Sequence, residues 1–343
     1  MGSSRPFFGL ARFQIVLTAL IGTVVIGCSG PFPQSTFDSA SSLGAELSNL
    51  FGTIFGWALA VFVVVEALLV YTLIRYRARP GQEGEPKYVH GHTVLEIAWT
   101  LAPAAILVFI AVPTMQTIFR IDGTPAAGAI EVEVIGHQWW WEYRYSQYGV
   151  TTANELHLPV GRPAALAMTS ADVIHSFWVP LLGGKRDVVQ GRTNRLSLVP
   201  DSIGEFMGQC AEFCGLSHAN MRTRVVVEDS VSFEQWVTRQ VSDADVPDSG
   251  TAEARGEEIW TGKGICFSCH TIQGVRSVAR TGPDLTHAAS RSTIAGGILP
   301  NDAAGLARWL RDPPAEKPGS LMPKLPLTED EISALVAYLQ SLK

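Results

Sequence analysis

The segment CAEFCGLSHANM, at positions 210–221, concentrates side chains that bind soft metal ions. It carries Cys210, Cys214, His218 and Met221, and a further histidine, His175, lies upstream in the segment SADVIHSFWVP. Thiolate, imidazole and thioether ligands together suit copper, and one upstream histidine with a late Cys/His/Met loop is the pattern of blue-copper sites. The residue types and their spacing therefore favour copper.

The second cysteine distinguishes this segment from a one-copper site. Two thiolates at C-x3-C could bridge two copper ions, and one histidine could bind each ion. Met221 would then be a weak axial ligand of one copper ion, and a backbone carbonyl would be the weak ligand of the other. Such a pair spreads the charge change of one electron over two metals. Two alternatives stay open from the residues alone. They are a disulfide between Cys210 and Cys214 in an oxidising compartment and a tetrahedral zinc site, which would leave Met221 without a role.

A second chemical motif lies near the carboxyl terminus. Cys266-Phe-Ser-Cys269-His270 has the C-x-x-C-H spacing of covalent haem c attachment, in which both cysteines form thioethers and the histidine is the proximal iron ligand. A thioredoxin-like C-x-x-C or half of a zinc site would not require the histidine, and no second C-x-x-C exists. Met322, in PGSLMPKLP, is the expected sixth ligand, which raises the reduction potential and favours electron transfer.

Other residues of this carboxyl-terminal region bear on the haem prediction. His287 is a rival sixth ligand, but its place just after GPDL predicts a surface or haem-edge position. Trp260 and Trp309 are expected to pack against the haem. The segment GPDLTH and the late methionine make residues 252–343 resemble a small class I cytochrome c domain.

Long apolar stretches indicate how these motifs are held. Residues 50–73 and 94–119 are each long enough to cross a bilayer. The basic loop between them, with Arg75, Arg77, Arg79 and Lys87, predicts a cytoplasmic loop, so that both metal motifs lie outside the membrane. Residues 1–27 have the layout of a secretory signal. Their last three residues and the next one, Val25-Ile26-Gly27-Cys28, resemble a lipoprotein cleavage box. Cleavage there would make Cys28 a lipid anchor in the membrane.

Composition narrows the function further. The chain has 343 residues, five cysteines and a net charge of −6, so it lacks the basic excess expected of a nucleic-acid-binding protein. From Ile130 to about position 230 the sequence alternates and is rich in β-branched and aromatic residues, which predicts a β sandwich or barrel. The polar segment 237–251 predicts a linker between this β domain and the carboxyl-terminal domain.

Three motifs together resemble subunit II of the haem–copper cytochrome c oxidases: HQWWWEY, DVIHSFWVP and CAEFCGLSHANM. The two apolar stretches, the second opening with LEIAWTLAP, fit the same family, and the resemblance spans residues 45–228. It implies a binuclear copper centre, CuA, and a magnesium ion shared with subunit I through the Glu212 side chain. The implied CuA ligands are His175, Cys210, the Glu212 carbonyl, Cys214, His218 and Met221.

The same resemblance implies roles for residues that bind no metal. Trp139 matches the residue at which electrons arrive, and Glu96 matches the glutamate at the mouth of a proton channel into subunit I. Asp187 and Arg192 match a segment beneath CuA. Trp140, Arg186 and Gln190 depart from the common pattern, which puts donor docking in doubt rather than metal binding. Glu66, central in the first apolar stretch, is expected to form a hydrogen bond at a helix interface.

A CuA domain followed by a cytochrome c domain resembles subunit II of a caa-type oxidase. This resemblance implies three kinds of domain, namely a two-helix transmembrane hairpin, an all-β cupredoxin-like domain and an all-α class I cytochrome c domain. Electrons would pass from a soluble cytochrome or a quinol-oxidising complex through haem c to CuA and then to haem a in subunit I, where oxygen reduction is coupled to proton pumping. The expected boundaries are 1–27 for the signal, 28–122 for the hairpin, 123–236 for the CuA domain, 237–251 for the linker and 252–343 for the haem domain.

The expected location is the bacterial cytoplasmic membrane, with both cofactor domains on its outer, periplasmic side and contacts to subunit I and other oxidase subunits. Quinol oxidases of this fold lack the copper ligands present here. Two rival functions remain. One is the inlet subunit of a CuA-containing nitric oxide reductase, which oxygen uptake against nitric oxide turnover would distinguish. The other is a non-enzymatic membrane-anchored carrier, against which the two-helix hairpin counts.

Overall fold

The computed structural model describes residues 32–77, 88, 90–121, 126–275 and 279–343. The predicted signal peptide and Cys28 lie outside these residues, as do Arg79 and Lys87 of the predicted cytoplasmic loop.

Two long helices precede the β domain. Helix α1 (Ser42–Arg75) and helix α2 (Thr93–Ile121) have mean hydropathies of 2.4 and 2.1 over their most apolar windows, and each is long enough to cross a membrane. Their large apolar side chains are mostly exposed in the isolated chain, as expected of surfaces that face lipid or partner subunits. Near the β-domain end of the pair, Arg120 forms a 2.9 Å ion pair with Glu46, which joins α2 to α1.

The start of α1 is fixed to the β domain by Ser41. Its hydroxyl accepts a hydrogen bond from Gly44 N at 3.0 Å, which caps the helix, and donates to Leu182 O at 2.6 Å. Ser41 is fully buried. The first transmembrane helix therefore begins at a defined position on the β domain.

The β domain is a sandwich of two five-stranded sheets with orders β3-β2-β1-β5-β8 and β4-β10-β9-β6-β7. Strand pairs β1–β5 and β4–β10 are parallel, and the other pairs are antiparallel. The strands are β1 (Ile130–His137), β2 (Trp140–Tyr145), β3 (Val150–Ala153), β4 (Glu155–Pro159), β5 (Ala164–Ser170), β6 (His175–Trp178), β7 (Arg186–Val188), β8 (Asn194–Leu198), β9 (Gly204–Cys210) and β10 (Arg222–Glu228).

Strand β2 explains the run of three tryptophans. Trp141, Tyr143 and Tyr145 alternate along the strand and are fully buried in the core between the sheets. Trp140 points to the other face, where its ring stacks on His137 with centroids 4.2 Å apart. The three consecutive tryptophans therefore do not all face the core.

A helix follows the sandwich and closes one side of it. Helix α3 (Ser230–Gln240) begins at Asp229, whose carboxylate accepts from the amides of Val231 and Ser232. Trp236 of this helix packs edge-to-face against Tyr145, with ring centroids 5.3 Å apart. The helix includes residues 237–240, the first four positions of the expected linker.

The carboxyl-terminal domain is mainly helical. Helices α4 (Ala252–Thr261) and α7 (Glu329–Ser341) cross closely at Gly256, where any side chain would collide with the Ala334 carbonyl. Trp260 and Tyr338 are fully buried in its core, and Thr328 and Glu331 form a capping box at the start of α7. The three-part fold predicted from the sequence is confirmed. The elements are α4 (Ala252–Thr261), β11 (Thr293–Ile294), β12 (Leu299–Pro300), α5 (Ala303–Arg311), α6 (Pro313–Glu316) and α7 (Glu329–Ser341).

Candidate metal centre and the adjoining cavity

The upstream histidine reaches the cysteine loop through strand pairing. His175 begins β6, which pairs antiparallel with β9 so that Phe177 lies opposite Cys210. The His175 ring is fully buried, and it rests on Gly136 of β1, where a Cβ atom would lie 2.7 Å from the ring. A glycine at position 136 is therefore needed for the ring to occupy this place.

The tautomer of His175 is set by a carboxylate that the sequence analysis did not single out. Asp172 Oδ1 lies 2.8 Å from His175 Nε2, and His175 Nδ1 lies 4.0 Å from Cys210 Sγ. A carboxylate on the far ring nitrogen fixes the orientation of a metal-binding histidine and raises its basicity. The Asp-x-x-His spacing in DVIH is the sequence signal for this pair.

The loop between β9 and β10 brings two thiols face to face. Cys210 Sγ and Cys214 Sγ are 3.8 Å apart, which is far beyond the ~2.05 Å of a disulfide bond. The ligand atoms of His175, Cys210 and Cys214 all lie within 4.8 Å of one another. The described structure therefore favours a metal-binding arrangement over the disulfide alternative.

The remaining predicted ligands divide between the two thiols. His218 Nδ1 is 3.6 Å and Met221 Sδ is 3.9 Å from Cys214 Sγ, whereas the Glu212 carbonyl oxygen is 3.2 Å from Cys210 Sγ. Together with His175, each thiol thus has one imidazole and one weak donor. This set suits two soft ions bridged by two thiolates better than one tetrahedral zinc ion, which would leave donors unused.

Interactions inside the pocket favour a thiolate at Cys210. Hydrogen bonding to Cys214 lowers the pKa of Cys210 well below its usual range, and the same contact raises the pKa of Cys214. Burial opposes the charged form of His175, but hydrogen bonds to Asp172 and Cys210 outweigh it and raise the His175 pKa. The pocket thus stabilises the Cys210 thiolate beside a protonated His175, and the thiolate is the form of cysteine that binds metals.

The other residues assigned by resemblance near this loop lie at its surface. The Glu212 side chain is exposed, as are its neighbours Phe213 and Leu216. Asp187 on β7 lies opposite Ser176 in the register with β6, and Arg192 is exposed beyond the same strand. Glu212 therefore points away from the two thiols, although its carbonyl oxygen lies beside Cys210.

The C-x-x-C-H motif lines a cavity of about 300 Å³ in the carboxyl-terminal domain. Pro283 O lies 2.8 Å from His270 Nδ1, so that this nitrogen carries the proton and Nε2 carries the lone pair that a metal requires. Burial lowers the pKa of His270, which keeps the ring neutral. The predicted residues Cys266, Cys269, His270, Met322, Trp260 and Trp309 all line this cavity.

The chemistry of this cavity matches a covalently held haem. Its walls are largely apolar, its two cysteines lie beside a half-buried histidine, and a thioether from Met322 enters from a different part of the chain. Gly282 lets the chain pass close to the His270 ring, since a Cβ there would lie 2.5 Å from Cε1. The residues present therefore fit the group that the motif implies.

The expectation that His287 lies at the surface or the haem edge is wrong. This residue is buried, its Nδ1 lies 2.7 Å from Lys343 O, and its Nε2 lies 3.0 Å from Ser242 O. Its ring therefore joins the carboxyl terminus to the segment that follows α3. No local pattern indicates this role, because both partners are distant in the chain.

Trp139 belongs to both sites. Its indole Nε1 donates a 3.0 Å hydrogen bond to the carbonyl oxygen of Cys214, and its side chain also lines the cavity of the carboxyl-terminal domain. The neighbouring Gln138 donates to the same Cys214 carbonyl at 2.7 Å. Trp139 is only 7% exposed because the carboxyl-terminal domain covers it.

The two predicted carboxylates of the helices lie elsewhere. Glu96 is exposed in the first turn of α2, at the opposite end of that helix from Arg120. Glu66 is half-buried near the middle of α1. Neither is brought together with the cysteine loop.

Comparisons with known families match three parts of the chain. Residues 31–117 match "Cytochrome C oxidase subunit II, transmembrane domain", residues 149–230 match "Cytochrome C oxidase subunit II, periplasmic domain", and residues 253–343 match "Cytochrome c". The two subunit II matches carry Glu96 and all the proposed copper ligands, and the third carries the C-x-x-C-H motif. Such domains imply a CuA copper centre and a haem, and the helices imply a membrane-anchored subunit.

Similar proteins cover the whole chain. A cytochrome c oxidase subunit 2 of Alkalihalophilus pseudofirmus is 36% identical over 99% of this chain and 98% of its own length. One from Bacillus subtilis is 33% identical over 96% of this chain and 97% of its own length. The crystallised periplasmic domain of subunit II from Bradyrhizobium japonicum is 29% identical, covers 35% of this chain and 96% of that structure, and has a TM-score of 0.33.

Proposed function

Because the chain belongs to the cytochrome c oxidase subunit II family, we propose that it receives electrons in its haem domain and passes them across Trp139 to the cysteine loop, from which subunit I takes them. In this proposal residues 28–122 anchor the chain, residues 123–236 carry the copper site and residues 252–343 carry the haem. When bound, the copper pair and the haem each accept and release single electrons. The remaining work is done by the side chains that hold, orient and shield these groups.

The observation that carries this proposal is the double contact of Trp139. Its ring lines the cavity that contains Cys266 and Cys269, and its indole nitrogen is hydrogen-bonded to the main chain of Cys214. Electron transfer slows steeply with distance, so an aromatic residue in contact with both sites is well placed to shorten the gap. Gln138 holds the same carbonyl oxygen and limits the movement of the loop.

At the cysteine loop, six donors would hold the two copper ions. Cys210 and Cys214 would supply thiolates, His175 and His218 imidazoles, and Met221 and the Glu212 carbonyl weak donors. Burial of His175, both cysteines and Met221 excludes water from this pocket. A dry and rigid pocket keeps the ligands in place when the charge changes, which favours rapid transfer.

In the haem domain, Cys266 and Cys269 would hold the haem covalently, and His270 and Met322 would bind its iron. The hydrogen bond between His270 Nδ1 and Pro283 O orients the ring. Trp260 and Trp309 supply apolar walls. With one histidine and one methionine ligand, the domain is suited to electron transfer rather than to binding small molecules.

Other residues would connect the chain to its partner subunits, to the membrane and to an electron donor. The exposed Glu212 side chain would reach a magnesium ion shared with subunit I, and Glu96 would receive protons at the cytoplasmic face for a proton-pumping oxidase. Both cofactor domains would lie on the periplasmic side, with Cys28 as a lipid anchor. A soluble cytochrome c or a quinol-oxidising complex would donate electrons to the haem domain.

The test is an optical and electron paramagnetic resonance spectrum of the purified complex. We expect a mixed-valence dicopper signal and a low-spin haem c, with oxygen uptake when the haem is reduced. Copper-replete protein without the dicopper signal would refute the copper assignment. Nitric oxide turnover without oxygen uptake would instead identify the reductase, and purification as a free monomer would identify a carrier.

A further inference from the structure

Part of the contact between the haem domain and the β domain is made by a short hairpin, residues 292–300, which we call the docking hairpin. Strands β11 and β12 form its two arms, and its turn contains three consecutive residues with positive φ, Ala295 (56°), Gly296 (74°) and Gly297 (85°). Left-handed backbone is unfavourable for alanine and persists where surrounding contacts impose it. The conformation of this turn is therefore maintained by what it touches.

The two glycines of the turn allow backbone to approach backbone. A Cβ atom at Gly296 would lie 2.8 Å from Trp139 O, and one at Gly297 would lie 2.9 Å from the Cβ of Arg222. In this close approach, the amide of Arg222 donates a 2.9 Å hydrogen bond to Gly296 O. The turn thus fits against the β domain with no room for side chains between them.

A buried carboxylate of the β domain binds the first residues of the docking hairpin. Glu155, at the start of β4, is only 3% exposed. Its Oε1 atom accepts hydrogen bonds from Ser292 N at 2.8 Å, Ser292 Oγ at 2.6 Å and Thr293 N at 3.2 Å. Hydrogen bonds to an ionised acceptor are stronger than neutral ones, so this contact is specific for one position of the hairpin.

A buried lysine of the haem domain binds the β domain from the other side. Lys317, which follows α6, is 4% exposed, and its Nζ donates to Trp139 O at 2.6 Å and to Ala295 O at 2.8 Å. Among the described residues no carboxylate forms an ion pair with it. Burial lowers the pKa of Lys317 to about 7, and the two carbonyl oxygens match the two N–H groups of a neutral amine.

Further contacts continue the same interface around Trp139. Ser217 of the cysteine loop donates a 2.6 Å hydrogen bond to Pro318 O. Gly319, with φ of 83°, lies over the indole, and a Cβ there would be 2.6 Å from Trp139 Cη2. The segment 317–319 therefore covers the outward face of Trp139.

The segment after α3 follows the haem domain rather than remaining an independent tether. Ala244 is buried in the core of the haem domain, and its amide donates a 3.1 Å hydrogen bond to Gln273 O. The buried ring of His287 lies 3.0 Å from Ser242 O. A tether that allowed the haem domain to swing would leave these groups in solvent.

From these contacts, we propose that Glu155 and Lys317 are positioning residues that hold the haem domain in one fixed orientation over Trp139, an inference that rests on the proposed electron path. The domains are joined by buried, directional hydrogen bonds to main-chain atoms, and each such bond loses its partner if the haem domain turns away. External donors then have no access to Trp139. They must deliver electrons to the outer face of the haem domain, where Ile265 and Leu321 are exposed.

Glu155 also connects docking to the interior of the haem domain. The adjacent Arg291 is half-buried and lines the haem cavity, and the negative charges of Asp284 and Glu155 counter the desolvation that lowers its pKa. Removal of the Glu155 charge leaves that region more positive. A more positive environment favours reduction, so the haem potential is expected to rise.

The test uses the full-length chain in the assembled oxidase complex, with Glu155→Gln and Lys317→Met as variants. Glu131→Gln, an exposed carboxylate of β1, and Lys263→Met, an exposed lysine of the haem domain, are the matched controls. Hydrogen exchange is measured on peptides that cover the docking hairpin. When exchange requires opening of the interface, its rate rises by the same factor as the equilibrium constant for opening. We expect the exchange rate to increase by about tenfold or more in both variants but not in the controls.

The second readout is the midpoint potential of the haem, which a merely structural contact would not shift in a defined direction. We expect Glu155→Gln to raise it and Glu131→Gln to leave it unchanged. Unchanged exchange and potential in variants with full copper and haem content would overturn the inference. If Glu155→Gln fails to assemble, Glu155→Asp, which keeps the charge on a shorter side chain, tests the same contact by exchange.

The outcome separates this inference from the proposed function. The absence of the dicopper signal from the wild-type complex, or a reduced haem that passes no electrons to copper, would refute the electron path whatever the exchange data show. A complete electron path together with exchange that the variants do not alter would refute the positioning role alone.

Discussion

The indole nitrogen of Trp139 donates a hydrogen bond to the carbonyl oxygen of Cys214 at 3.0 Å. This contact joins a residue on the wall of the haem-domain cavity to the main chain of a proposed copper ligand. Because the haem domain covers Trp139, the same side chain lies inside the molecule and not on a surface open to soluble donors.

We expect Trp139→Phe to slow electron transfer from haem c to copper. The substitution retains an aromatic ring but removes the N–H donor and reduces the area of contact. An increase of about 1.4 kcal/mol in the activation free energy corresponds to a tenfold slower transfer. Transfer can be followed optically after rapid reduction of the haem. Trp140→Phe is the control because Trp140 lines the same cavity but stacks on His137, whereas Trp139 is hydrogen-bonded to Cys214. Equal slowing in both variants would contradict a special role for Trp139.

Asp172→Asn should weaken copper binding without removing a proposed ligand. The carboxylate of Asp172 holds His175 Nε2 at 2.8 Å, and loss of such a partner typically lowers metal affinity by about 10- to 100-fold. Copper retention in the presence of a chelator measures the effect. Asp201→Asn, at an exposed aspartate, should retain copper like the wild type. Unaltered retention in the Asp172 variant would show that the carboxylate does not orient the histidine.

Gly319→Ala should displace the haem domain from Trp139. The new Cβ would lie 2.6 Å from the indole, and the backbone there has φ of 83°. Gly161→Ala separates the two causes, since Gly161 has φ of 74° but open space around it. Backbone strain alone costs about 1–2 kcal/mol in each variant. Only Gly319→Ala should accelerate hydrogen exchange in the docking hairpin, and a similar effect of both substitutions would point to strain instead of contact.

The stability of the docked state should increase as the pH rises above about 7. Burial lowers the pKa of Lys317 to about 7, against 10.5 for an ordinary lysine, so the undocked state binds more protons between these two values. Docking therefore strengthens through this interval and is insensitive to this group below it. Carbonyl oxygens of Trp139 and Ala295 face the amine, and Cys214 is the titratable side chain whose charge acts on it.

The measurement is the ratio of hydrogen exchange in the docking hairpin to that in core strands from pH 6.5 to 9. The ratio removes the intrinsic pH dependence of exchange. In wild type it should fall as the pH rises above about 7, and in Lys317→Met it should stay constant. A parallel change in both proteins would exclude Lys317 as the group responsible.

The sequence predicted the parts of the site that are local. Cys210, Cys214, His218 and Met221 lie in one loop, so their spacing alone brings their donor atoms together. His175 reaches them only through pairing of β6 with β9, and its assignment depended on the family resemblance as well as on residue type.

The docking contacts could not be predicted in the same way. In the sequence, Glu155 is one acidic residue at the start of a predicted strand. Lys317 lies in a Pro- and Gly-rich segment, where a lysine is expected to be exposed to solvent. Their roles arise from hydrogen bonds across 137 and 178 residues of sequence, respectively. The buried position of His287 was missed for the same reason. No local pattern encodes a contact that exists only when two domains meet.

The interface around the docking hairpin consists mostly of main-chain atoms. Glu155 binds two amides, Lys317 binds two carbonyl oxygens, and the amide of Arg222 binds Gly296 O. Because Lys317 binds the carbonyl oxygen of Trp139 and not its ring, the hydrogen bonds that join the domains do not depend on the side chain at position 139. Electron transfer through Trp139 and attachment of the haem domain therefore depend on different atoms. A substitution can alter the proposed electron path while the hydrogen bonds that align the two domains remain.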